Sequence, residues 1–180
     1  MAIFCKKKGI KYFEWIGLKA IKKDSLSATM ASIFIGLICF GIISVAILFI
    51  VKDVETATSQ FSGLGIAGLM PAMLYAFVQT SLTEEIFFRG FLLKRIKAKF
   101  HFTTANGIQS ILFGIMHGVM FFSLTSILNA ILITLFTAVI AFYMGYINEN
   151  KADGSIMPSW CIHGAANMLS TAVSLFTLIK

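Results

Sequence analysis

The sequence predicts an all-α, polytopic transmembrane helical bundle of about five spans, preceded by a basic amphipathic helix on the membrane surface. Three observations carry that prediction. The 180 residues are 58% hydrophobic and 13% charged, where a soluble domain is nearer half apolar and a quarter charged; mean hydropathy is +0.87. Charge is excluded from long runs: no Lys, Arg, Asp or Glu lies between Glu55 and Glu84, between Lys99 and Glu149, or between Asp153 and Lys180. Those runs are continuous rather than alternating, with Gly and Ala scattered as in packed membrane helices, which argues against strands.

The first element is basic. Across residues 8–23, Lys8, Lys11, Lys19, Lys22 and Lys23 fall along one side of a helix, and Ile10, Phe13, Ile16 and Ala20 along another. That pattern predicts an interfacial amphipathic helix, and residues 1–26 form the N-terminal segment. The transmembrane domain, 27–180, follows as apolar segments at about 27–51, 64–93, 104–122, 125–147 and 156–179. The second is longer than a hydrocarbon core of about 30 Å demands, so it tilts, kinks or enters the interface, and Pro71 can kink it. Asp153-Gly154-Ser155 reads as a turn, and Pro158 suits the first turn of the last helix.

Loop charge sets the topology. The formal net charge is +7, gathered in the N-terminal lysines and in Lys94, Arg95, Lys97 and Lys99. In so apolar a chain these read as topology signals and as a match for anionic lipid, not for nucleic acid. The N-terminus is expected in the cytoplasm, and the loop with Lys52, Asp53 and Glu55 outside. Cys5, Cys39 and Cys161 are too few and too scattered for a disulfide framework or a CxxC metal pair. Cys161 and His163 are two apart and do not share a helix face. No cleavable signal peptide or lipidation motif is evident.

Ionisable groups at membrane depth cost about 3 kcal/mol or more each, and are usually functional. This chain has five: Glu84, Glu85, Arg89, His117 and His163. Glu85 and Arg89 are spaced i, i+4, so they can pair and lower the cost of burying both. Glu84 points about a quarter-turn away and is left free for acid–base work. Phe113 and His117 share one helix face, as do His163 and Asn167. Gly114, Gly118 and Gly164 beside the histidines let helices approach closely. At about 1.5 Å per residue, Glu84, His117 and His163 reach a common depth.

These residues resemble the motif set of the CAAX-protease and bacteriocin-processing family, also called CPBP or Abi. The motifs are Glu84-Glu85-x-x-x-Arg89, Phe113-x-x-x-His117 and His163-x-x-x-Asn167, in family order on three apolar segments within residues 64–180. The resemblance implies a glutamate-dependent intramembrane endopeptidase. Glu84 would activate a water that His117 helps to hold. His163 and Asn167 would stabilise the oxyanion, with Glu85, Arg89 and Phe113 in support. No cofactor is implied, although Glu84, His117 and His163 could instead offer three ligands to zinc. The partners implied are the lipid bilayer and a membrane-associated peptide or protein, at the cell membrane. Two other readings use the same residues: a non-catalytic immunity or scaffold protein that binds a peptide in the pocket, and a small transporter with a proton relay.

Overall fold

We describe a computed structural model of the chain, covering residues 9, 11–51 and 54–178. The expectations placed on Cys5, Lys6 to Lys8, Ile10, Lys52, Asp53 and Lys180 lie outside the described residues. Every regular element among the described residues is helical. They are α1 Tyr12–Trp15, α2 Leu26–Ile50, α3 Gly65–Lys97, α4 Phe102–Phe122, α5 Ile127–Asn150 and α6 Met157–Leu175. The chain is an all-α polytopic bundle. Helices α2 to α5 are each long and apolar enough to cross a membrane. With 19 residues, α6 is also long, but Ser159, His163, Asn167, Ser170 and Thr171 give it a polar face and lower its hydropathy.

The bundle presents apolar side chains outward. On α2, Phe34, Ile42 and Phe49 are exposed, while only Thr29, Ile33 and Gly36 are buried. That is how a helix behaves when lipid, not protein, covers most of its surface. The close approaches fall where the small residues are. Gly114 and Gly118 lie against Thr134 and Ala138 of α5, Gly164 against the Phe77 ring of α3, and Gly36 against Ile162. Buried amides add to the α4–α5 seam: Asn106 donates to the Phe142 carbonyl at 2.8 Å and Gln109 to the Ala141 carbonyl at 3.3 Å.

Helix α3 is not uniformly wound. Leu74–Leu82 and Ile86–Leu93 are π-helical, on either side of the Thr83–Glu85 turn. Wider winding of this kind recurs at functional sites. Pro71 sits in the first turns of α3, after the 3₁₀ turn Gly65–Gly68, where a missing N–H costs little.

Among the described residues of 8–23, the expected helix is seen only as the α-helical turn Tyr12–Trp15, with a 3₁₀ turn opening at Lys23. Gly17, at φ +82°, breaks it. The chain then runs as a strap across the basic end of the bundle. Ile16 is buried there, Ile156 N–H donates to the Gly17 carbonyl at 2.9 Å, and Ser155 Oγ donates to the Lys19 carbonyl at 2.6 Å. Tertiary docking of Ile16 outweighs the modest helix propensity of so short a segment.

At this end Lys94 Nζ donates to Glu149 at 3.0 Å and to the Gly154 carbonyl at 2.6 Å. Asp153 and Gly154 both take left-handed backbone, as the predicted turn requires. At the far end, residues 56–63 fold over the C-terminus of α6. Gly63 N–H donates to the Ser174 carbonyl, and Phe61 packs with Leu175 and Tyr75.

Candidate active site

Helices α3, α4 and α6 bring five ionisable side chains together midway along the bundle. Glu85 is the hub. Its Oε1 accepts from Arg89 Nη1 at 2.9 Å and from His163 Nδ1 at 3.0 Å, and its Oε2 accepts from Ser159 Oγ. Glu85 and Arg89 are both fully buried. The i, i+4 spacing closes their pair, as the sequence suggests. A buried pair of this kind persists only where further hydrogen bonds and dipoles compensate for lost water. Here the guanidinium lies 4.3 Å over the Phe113 ring, a favourable cation–π position.

Glu84 faces the other way. Its Oε2 is buried without a hydrogen-bond partner. It lies 4.0 Å from His117 Nε2 and 3.8 Å from His163 Nε2. The outer nitrogens of both rings are held. His117 Nδ1 is 3.0 Å from the Phe113 carbonyl, which can only accept, so Nδ1 carries the proton. His163 Nδ1 likewise donates to Glu85. With Nδ1 as the donor, each ring turns its Nε2 toward the Glu84 carboxylate.

Phe113 sets the His117 ring directly, with ring centroids 4.4 Å apart. Asn167 lies beside the histidines, and its amide nitrogen donates to Thr80 Oγ1 and Ser81 Oγ, each at 3.0 Å. Both of its N–H groups are thereby engaged by α3, one helical turn before Glu84 and Glu85. Glu84, His117 and His163, the three groups considered for zinc, do face one another. Among the described residues no set of three or more His, Cys, Asp or Glu is arranged to hold a metal ion.

Four contributors escaped the sequence reading. Ser159 donates to Glu85 and accepts from Asn148 Nδ2 at 2.7 Å, while Asn148 Oδ1 takes the Ser159 N–H. Thr80 and Ser81 fix Asn167. A signal was available: Ser81, Glu85 and Arg89 repeat every four residues on α3, and Ser159, His163 and Asn167 do so on α6. Asn148 had none, because its contact crosses the α5–α6 turn.

The histidines and Phe113 line a cavity of about 300 Å³. Its other walls are mainly apolar side chains of α2 and α4, among them Phe40, Leu48 and Phe121, with Ser44, Thr137, Asn167 and Ser170 adding polar groups.

A helical membrane bundle with a carboxylate facing two imidazoles beside a cavity defines a class of membrane-embedded proteins equipped for acid–base chemistry. Residues 66–169 match the family described as Type II CAAX prenyl endopeptidase Rce1-like. The match spans more than half of the chain, so the chain belongs to this family, the CAAX-type intramembrane proteases. It takes in every residue of the cluster and leaves α1 and α2 outside. No curated protein and no solved structure matches the chain.

Proposed function

We propose that the chain is an intramembrane endopeptidase that hydrolyses a peptide bond of a membrane-associated peptide or protein, with Glu84 as general base. The observation that carries this reading is the convergence of Glu84 Oε2 with His117 Nε2 and His163 Nε2 beside the cavity. Separations of this size suit a water about 2.8 Å from the carboxylate and from a ring nitrogen. Such a water has two protons for two acceptors.

Glu84 takes one proton as the water oxygen attacks the peptide carbonyl carbon. The carbonyl electrons move to oxygen, and the negative charge needs donors. His163 can donate from Nε2 once doubly protonated, since Glu85 already holds its other N–H. Asn167 serves the oxyanion if one amide hydrogen leaves Thr80 or Ser81. Glu84 then passes its proton to the amide nitrogen as the C–N bond breaks. Glu85, Arg89, Ser159 and Phe113 hold the rings in place. The family description names CAAX prenyl endopeptidases; the apolar walls suit an apolar group near the scissile bond. The N-terminus is cytoplasmic in this reading, by the charge of the basic end.

The test compares protein and peptide N-termini in membranes from cells carrying the wild-type chain or Glu84→Gln at matched expression. Termini that depend on Glu84, with turnover falling about 10²- to 10⁴-fold in the variant, are expected. Identical termini from two folded proteins would replace catalysis with a binding or immunity role. A chelator arm separates the two chemistries. Activity that survives chelation fits Glu84 acting on water, whereas loss restored by zinc assigns Glu84, His117 and His163 as ligands.

A further inference from the structure

The basic end of the bundle carries more cation than it neutralises. Residues 1–26, 94–101 and 148–155 hold twelve Lys or Arg against four Asp or Glu. The two carboxylates that fasten this end are each shared by two lysines, Glu149 by Lys94 and Lys97, and Asp153 by Lys19 and Lys22. Arg95 has no such partner. Among the described residues it forms no ion pair with these carboxylates, with Glu14 or with Asp24. Its Nε is buried without a hydrogen-bond partner. Residues 1–8, outside the described residues, hold lysines and no carboxylate, so they add to the excess.

Unpaired as it is, Arg95 is held in place. Its guanidinium lies 4.1 Å over the Trp15 ring and 6.0 Å from that of Phe91, and the two rings meet edge to face at 6.1 Å. The strap supplies Trp15, while α3 supplies Phe91 and Arg95, so the arrangement exists only while the strap is docked. Tyr12 and Phe13, just before Trp15, are exposed. Aromatic rings beside lysines mark the headgroup layer of a bilayer. Arg95 therefore stands at the depth of lipid phosphates.

We propose that Arg95 binds the phosphate of an anionic phospholipid, in a site completed by Trp15 of the docked strap. A guanidinium is a planar fork of N–H donors that takes two oxygens of one phosphate. Stacking on Trp15 occupies one face, leaves the N–H edge for the ligand and fixes the plane in advance, so little side-chain freedom is lost on binding. The excess of cation around it draws anionic headgroups to this end. A free phosphate offers the same oxygens, but only a lipid also brings acyl chains for the exposed Tyr12 and Phe13 to lie against. A lipid bound here favours the docked strap by mass action. The strap in turn holds the start of α6, through the Ser155 hydroxyl and the Ile156 N–H. This inference makes no use of the protease reading.

The test uses the full chain in uncharged detergent micelles. The chain has two tryptophans, so Trp160→Phe leaves Trp15 as the one reporter. Dioctanoyl phosphatidylglycerol, dioctanoyl phosphatidylcholine and glycerol 1-phosphate are titrated separately while Trp15 emission is followed. Phosphatidylglycerol is expected to give a saturable change at a concentration about tenfold or more below that of the other two. Arg95→Lys keeps the charge and loses the fork, and is expected to weaken phosphatidylglycerol about tenfold. Lys99→Gln removes a charge from the same end and is expected to weaken it about fivefold at most. The reverse order, or Arg95→Lys binding as the parent does, overturns the site in favour of diffuse attraction. Glycerol 1-phosphate saturating at the same concentration as phosphatidylglycerol overturns the lipid and assigns the site to a soluble phosphate. Emission unmoved by either anion overturns both. Circular dichroism of Arg95→Lys separates lost binding from lost fold, and the ranking of the three probes needs no variant at Arg95.

Discussion

At the scale of single residues, the site divides one pair of adjacent carboxylates between two jobs. Glu85 is saturated by Arg89, His163 and Ser159, while Glu84 is left facing two ring nitrogens. Removing the partner of a fully buried charge is costly. Arg89→Leu is therefore expected to destabilise the fold by about 3–5 kcal/mol, read from denaturant unfolding in detergent micelles. Glu85→Gln combined with Arg89→Leu recovers part of that loss, because the uncompensated charge is gone. Were the single and double variants equally unstable, Arg89 would matter for its packing on Phe113 rather than for its charge. The Glu85–Arg89 pair was legible in the sequence because helix spacing dictates it. The convergence of Glu84, His117 and His163 was legible as a common depth. The engagement of Asn167 by Thr80 and Ser81 was not, since a side chain's choice between cavity and neighbouring helix depends on rotamers and crossing angles that spacing does not contain.

At the scale of elements, glycine decides where the helices that carry the cluster meet. A Cβ on Gly164 would run into the Phe77 ring, whereas one on Gly107 would meet nothing within 4 Å. Gly164→Ala should cost about 1–3 kcal/mol by overpacking. Gly107→Ala should be neutral or stabilise by up to about 1 kcal/mol. Thermal unfolding of the two variants side by side checks this, and equal effects would mean that Phe77 swings aside freely. The spans themselves were readable to within a few residues, because length and apolarity are written locally. The N-terminal helix is seen, among the described residues, only at Tyr12–Trp15. Its amphipathic pattern is real, but Gly17 and the burial of Ile16 turn the segment into a strap, and no local pattern reports what a segment will dock against.

At the scale of the whole molecule, the basic end is a closed layer held partly by charge. Asp153 accepts from Lys22 at 2.7 Å and Lys19 at 3.3 Å. Hydrogen bonds from Lys22, and next from Lys19, hold its carboxyl below the ordinary aspartate range. A depressed carboxylate stabilises the docked strap above about pH 3.9 and stops doing so as pH falls through its lower folded value. The strap is thus expected to stay docked from neutrality down to about pH 4 and to loosen below it. Trp15 stacks on Arg95 at 4.1 Å, so its fluorescence in a Trp160→Phe background follows docking. A transition near neutral pH, or one that persists in Asp153→Asn, would assign the response to another group. The family match begins at residue 66, yet one wall and part of the rim of the cavity come from α2 and from Glu55 to Thr58. In the proposed function, reaction and choice of guest are thus inscribed on separate stretches of chain. Under that proposal, exchanging residues 26–64 for another sequence would recut the mould around the substrate and leave the floor of Glu84, His117 and His163 as it stands.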